Sequence, residues 1–217
     1  MKQRTAMRCW IGYGILAVLL CFLILLNLNI GTVSLSPSEV FGILAGKTSA
    51  NTAIIWEIRL PRLIAAAILG GALSVSGFLL QTFFSNPIAG PFVLGISSGA
   101  KLVVAMTMIG FLSRGWVMSS TSMILAAFVG SMISMGFILL ISGKVKKMSL
   151  LIICGIMIGY ICSAITDFAV TFADDSNIVN LHNWSMGSFS GMTWGNVQAA
   201  ALVVLPALAA AFCLAKP

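Results

Sequence analysis

Two ionisable residues, Lys101 and Asp167, interrupt stretches that are otherwise apolar, and charge in such surroundings is rare unless it meets a wet cavity, a pathway or the membrane interface. Lys101 follows the small, polar run Gly95, Ser97, Ser98, Gly99 and Ala100. It either snorkels its ammonium toward water or lines a water-accessible face. Asp167 ends a series, Gly155, Gly159, Ser163 and Asp167, whose four-residue repeat a helix gathers into one slowly drifting stripe. Small residues let helix backbones approach closely, so the stripe predicts helix packing, with a pathway lining as the sharper reading. Ser97, Ser98, Lys101, Gly159, Ser163 and Asp167 are the candidates for a translocation path. Arg59 and Arg62 flank Pro61 at what reads as a helix N-terminus, with proline at the first helical position. Cations there oppose the helix dipole, so helix stability does not account for them. A docking point for acidic groups on a partner does; local pairing with Glu39 or Glu57 is the other reading.

Material for covalent chemistry is sparse. His182 is the one histidine, and Cys9, Cys21, Cys154, Cys162 and Cys213 form no Cys-x-x-Cys pair, so the cysteines read as small hydrophobes of packed regions. The chain is expected to be no enzyme and to hold no metal or cofactor. Gly46-Lys47-Thr48 imitates the end of a phosphate-binding loop, but the spacing back to Gly42 is one residue short of the motif. If ATP powers this protein, a separate subunit binds it.

The elements that must position these residues are membrane helices. Of 217 residues, 59% are hydrophobic and 8% charged, where a water-exposed domain carries about a quarter charged residues. The pattern predicts an all-α, polytopic bundle of six spans, about 10–28, 63–84, 92–112, 116–142, 148–172 and 194–214, each long enough to cross a hydrocarbon core of roughly 30 Å. They form one transmembrane domain over residues 1–217. The basic residues Lys2, Arg4, Arg8, Lys144, Lys146, Lys147 and Lys216 fall on one side, which places both ends in the cytoplasm. On the other side Lys47, Arg59, Arg62 and Arg114 are balanced by Glu39, Glu57, Asp174 and Asp175. The formal charge of +7 is therefore a topology signal and implies no nucleic-acid partner. Ala66, Gly70 and Ser74, and likewise Ala126, Gly130 and Ser134, read as further protein-facing stripes. Asn86-Pro87 and Gly90-Pro91 predict a tight inner turn. Asn86, Pro87 and Ile88 make it a candidate gate; a plain connection is the alternative.

Taken together, Arg59-Leu60-Pro61-Arg62, Gly70-Gly71-Ala72-Leu73, Ser76-Gly77, Gln81, Asn86-Pro87-Ile88-Ala89-Gly90-Pro91, Leu94-Gly95-Ile96-Ser97-Ser98-Gly99-Ala100 and Trp184-Ser185-Met186-Gly187-Ser188 with Trp194 closely resemble the FecCD family. Its members are the permeases of ABC importers for iron-siderophore complexes, haem and cobalamin. The resemblance spans nearly the whole chain. It implies import of an iron chelate across the bacterial cytoplasmic membrane by two permease chains, homo- or heterodimeric, with two cytoplasmic ATPase subunits and an extracytoplasmic binding protein. It also implies that Arg59 and Arg62 meet acidic residues of that binding protein, that Asn86-Pro87 lies at the cytoplasmic gate, and that the fifth span borders the path. The family's permeases have ten helices, so the resemblance further implies a chain truncated after the sixth, lacking the ATPase-coupling loop and unable alone to support ATP-coupled uptake. Lys101 departs from the small residue usual there. The alternative function is a secondary carrier or channel in which Asp167 and Lys101 are the coupling or selectivity charges.

Overall fold

The computed structural model describes residues 2–112, 114–116, 118–145, 147–173 and 175–214; the side chains of residues 2–6, 112, 175 and 177 are outside that description. Of the topology charges, Lys146, Asp174 and Lys216 therefore fall outside the described residues, as do the side chains of Lys2, Arg4 and Asp175. All regular structure among the described residues is helical: α1 (Lys2–Asn29), α2 (Pro37–Leu44), a π-helical turn (Ile54–Arg59) running into α3 (Leu60–Phe84), α4 (Ile96–Leu112), α5 (Ser120–Ser142), α6 (Met148–Thr171), α7 (Asp175–Met186) and α8 (Trp194–Leu214). Among the described residues five helices, Met7–Asn29, Ile54–Phe84, Ser120–Ser142, Met148–Thr171 and Trp194–Leu214, are long and apolar enough to cross a membrane. The chain is a multi-pass, all-α membrane protein.

The third expected span, 92–112, yields a helix shorter than its apolar run. Phe92–Gly95 form turns, and α4 begins only at Ile96, leaving 17 residues or about 25 Å of helix. Pro91 and a left-handed Gly95, at φ +71°, keep the chain out of helix until it has crossed α6. The second span begins earlier than expected. Helix starts at Thr52 and runs through Pro61 to Phe84, by way of a π turn over Ile54–Arg59 just before the proline.

The chain expected as one domain divides into two compact units, residues 1–72 with 189–217, and residues 73–188. In the first, Leu28, Leu35, Val40, Ile43 and Ile55 form the core, with Ile24, Leu60 and Leu63 against it. Helix α2 is capped by Ser36, whose hydroxyl accepts from Glu39 N–H, and Pro37 opens its first turn, the arrangement expected of a helix start. Lys47 N–H donates to Gly42 O and Gly46 takes φ +91°. The phosphate-loop lookalike is thus a helix C-terminus, whereas a phosphate needs the amides of an N-terminus.

Glu39 also ties down the following loop: its Oε1 accepts from Ser49 Oγ and Asn51 Nδ2, each at 2.9 Å. The Asn51 amide and then the Ser49 hydroxyl hold its carboxyl below the usual carboxylate range. A lowered folded-state pKa stabilises above the carboxyl's ordinary pKa and stops doing so as pH falls through the lowered value. Amide exchange over 45–52, corrected for intrinsic rates, should accelerate on acidification through that range. Glu39→Ala should be fast at neutral pH and show no such step.

The second unit is organised on α4, which packs against α5, α6 and α7. Its hydrophobicity runs all round the helix, as burial on several sides requires. One core joins Phe84, Ala89, Leu94, Ile138, Leu151 and Ile152; the other joins Val104, Ala105, Met108, Met118, Ala126 and Leu181, with Trp184 against it. Helix α7 ends at a left-handed Gly187, φ +73°, the usual glycine stop.

Candidate functional site

The 73–188 unit brings α4 and α6 together through backbone. A Cβ at Gly95 would lie 2.7 Å from both Gly155 O and Gly159 N, and one at Gly159 would lie 3.1 Å from Gly95 Cα and 3.6 Å from Ser98 Oγ. Ser98 and Gly159, both named as path candidates, are therefore neighbours. On the α5 side, Gly99 and Gly130 interlock, with Ser134 Oγ seated against Gly99. Ala126, Gly130, Ser134 and Ile138 are all buried, so the protein-facing stripe expected on α5 is found. The one expected on α3 is not: Ala66, Gly70 and Ser74 are exposed. The residues of α3 that pack into the cores are at its two ends, Leu60 and Leu63 in one unit and Leu80 and Phe84 in the other.

On α6 the stripe is protein-facing for its first half only. Gly155 and Gly159 are buried, Ser163 is half-buried and Asp167 is exposed. Each four-residue step overshoots a full turn by about 40°, so Asp167 has swung about 120° from Gly155. Thr166, eleven residues on from Gly155, stays within about 20° of the packed face. It is buried, and its hydroxyl donates to Cys162 O at 2.8 Å. Mixed four- and three-residue spacing, in place of strict fours, would have found Thr166 from the sequence. Ser97 is exposed, and Lys101, four residues on along the same side of α4, is half-buried.

The turn at Asn86–Pro91 is built from its own side chain. Asn86 Oδ1 accepts from Ile88 N–H at 2.9 Å, Asn86 N–H closes α3 on Gln81 O at 3.0 Å, and Ser85 before it is left-handed at φ 48°. Pro87 and Ile88 are exposed while Ala89 is buried, so the loop is pinned at both ends and presents its tip.

In the other unit the two arginines have different surroundings, and neither flanks a helix N-terminus. Arg59 is 7% exposed. Its guanidinium donates to Leu28 O and Val33 O, and Gly31 leaves room for it, since a Cβ there would stand 2.9 Å from Nη2. Those carbonyls are the end of α1 and the loop after it, where a cation agrees with the helix dipole. Arg62 is half-buried, lies with Asn27 on a largely apolar groove between α1 and α3, and has a buried Nε with no hydrogen-bond partner. Local pairing with Glu39 is not what occurs, as that carboxylate is held by Ser49 and Asn51. Sequence reasoning also missed a contact nearby: Trp194 Nε1 donates to Trp56 O at 2.7 Å. Among the described residues no group of three or more His, Cys, Asp or Glu comes together as a metal site would need.

With this geometry in hand, comparison with known proteins is specific. Residues 19–217 match the FecCD transport family. The vitamin B12 import system permease protein BtuC of Vibrio parahaemolyticus is 37% identical over 209 residues, covering 94% of this chain and 59% of that relative. The hemin transport system permease protein HmuU of Yersinia pestis is 34% identical over 213 residues, covering 95% and 61%. A metal-chelate type ABC transporter solved in an inward-facing conformation superposes with TM-score 0.68 at 25% identity, over 84% of this chain and 55% of that one. The chain thus spans about three fifths of the length of the curated relatives it matches. The motifs at Arg59–Arg62, at Asn86–Pro91 and along α4 lie inside the matched region, and the chain belongs to the FecCD transport family.

Proposed function

We propose that this chain supplies the membrane-crossing path of an importer for a bulky chelate, an iron-siderophore complex or a related haem- or corrin-type ligand, across the bacterial cytoplasmic membrane. Its N-terminus is cytoplasmic. An extracytoplasmic binding protein delivers the ligand, a second permease chain completes the path and separate ATPase subunits drive it. The observation that carries this reading is the match of residues 19–217 to a transport family whose relatives are named for vitamin B12 and hemin transport. Ser97, Ser98, Lys101, Gly159, Ser163 and Asp167 are this chain's path residues; the close α4–α6 crossing at Gly95, Ser98 and Gly159 supports two of them, Ser98 and Gly159, by making them neighbours. The pinned Asn86–Pro87–Ile88 turn suits a gate on the cytoplasmic side. Docking falls to Arg62, which is half-buried on the rim of the groove between α1 and α3; Arg59 serves by holding the outer loop in shape.

Uptake of labelled ferric siderophore, haemin and cobalamin by cells carrying and lacking the gene tests the reading and ranks the ligands. In cells that also hold the second permease chain, the ATPase and the binding protein, the expected result is uptake of one class that stops when the ATPase is deleted and persists in the presence of an uncoupler. Uptake with the opposite pattern would establish the carrier or channel reading, with Asp167 and Lys101 as its charges. Arg62→Glu should reduce uptake about tenfold by slowing productive encounter with the binding protein, and raised salt should narrow the gap.

A further inference from the structure

Trp56 has a backbone carbonyl that its own helix leaves without a donor. In a π-helical turn each N–H reaches back five residues, and Leu60 N–H accordingly donates to Ile55 O. The next donor in that register belongs to residue 61, a proline, which has none. Trp56 O is met from α8 instead, by Trp194 Nε1 at 2.7 Å.

The competing arrangement follows from the same atoms. In α-helical register Leu60 N–H would turn from Ile55 O to Trp56 O, and the carbonyl would need no indole. The indole bond and the π turn therefore sustain one another: each leaves the other its partner. Conversion to α register removes a one-residue bulge and turns Pro61 and Arg62 by about 100° relative to Asn51 and Thr52. Arg59, fastened to the Leu28 and Val33 carbonyls, restrains the turn from the α1 side. Trp194 restrains it from the α8 side.

We propose that Trp194 is a positioning residue for Arg62: its indole N–H holds the Ile54–Arg59 turn in π register and so sets the direction in which Arg62 is presented. What Arg62 meets rests on the docking reading above; the direction itself does not. The test is therefore free of any partner. In the full chain, with the five cysteines replaced by alanine, Arg62→Cys is labelled with a membrane-impermeant thiol reagent, and Phe41→Cys, exposed on α2, serves as the reference. Two changes are made at Trp194: replacement by phenylalanine, and replacement by benzothienylalanine, which keeps the fused ring and lacks the N–H. Loss of one hydrogen bond of ordinary net strength shifts the register population by about fivefold. The labelling rate at position 62 should move by about that factor in both variants while position 41 stays unchanged. An unchanged rate at 62 with benzothienylalanine, or equal shifts at 62 and 41, would overturn the proposal. A shift at 62 with normal uptake would leave the positioning role standing and remove the docking one.

Discussion

Gly130→Val should prevent the 73–188 unit from assembling, whereas Gly136→Val on the same helix should be close to neutral. A Cβ at Gly130 would run into Gly99 O and come within 2.9 Å of Ala100 Cα, all of it backbone, so no side chain can rotate away. The same added carbon at Gly136 meets nothing within 4 Å. Overpacking a closed interface costs roughly 1–3 kcal/mol and more where the structure cannot yield; here α4 and α5 would have to separate along their shared length. Gly95→Ala should be comparably severe. It forces a Cβ into the left-handed region, about 1–2 kcal/mol, and places it against Gly155 O and Gly159 N. Thermal unfolding of the purified protein in one detergent checks all three: midpoints within a few degrees for Gly136→Val, and no cooperative transition for Gly130→Val. A Gly130→Val protein melting like the parent would mean that the α4–α5 contact is not the close one described.

Comparison of individual residues shows why some of this was readable from sequence and some was not. The helices were legible because apolar runs of twenty or so residues have few alternatives, and the α5 stripe because Gly130 and Ser134 each sit opposite a glycine of α4. Where the runs failed was at their edges. Phe92–Gly95 is apolar yet non-helical, since a positive φ at Gly95 is a backbone property that hydrophobicity does not encode. Counting in fours puts Asp167 on a stripe, and the 3.6-residue period carries it off that face. The arginines read as flanking a helix end because proline marks a helix start in most contexts. Here the start lies nine residues upstream at Thr52, and the donor that would announce a π turn is an indole 138 positions away. Long-range satisfaction of one carbonyl leaves no local trace in sequence.

Arg59→Met should destabilise the 1–72 and 189–217 unit by about 3 kcal/mol, and Arg59→Lys by clearly less. Charge-assisted hydrogen bonds contribute about 1.5–3 kcal/mol each, and leaving their acceptors buried and bare adds to the loss. The two acceptors here are Leu28 O, in the last turn of α1, and Val33 O, in the loop beyond it. A methionine keeps much of the aliphatic bulk and offers neither carbonyl a proton. A lysine keeps the charge that the helix end favours, but a point ammonium cannot span two divergent carbonyls as a planar guanidinium does. The loop should report the difference directly: limited proteolysis between residues 30 and 36 ought to be fastest in Arg59→Met, intermediate in Arg59→Lys and slow in the parent. Gly31→Ala tests the same pocket from the other side. Its Cβ would stand 2.9 Å from Nη2, the far end of a flexible side chain, so the expected change is small and in the same direction. Equal cleavage in Arg59→Met and the parent would release Arg59 from this internal role and return it to the outward-facing one expected from its place beside Pro61.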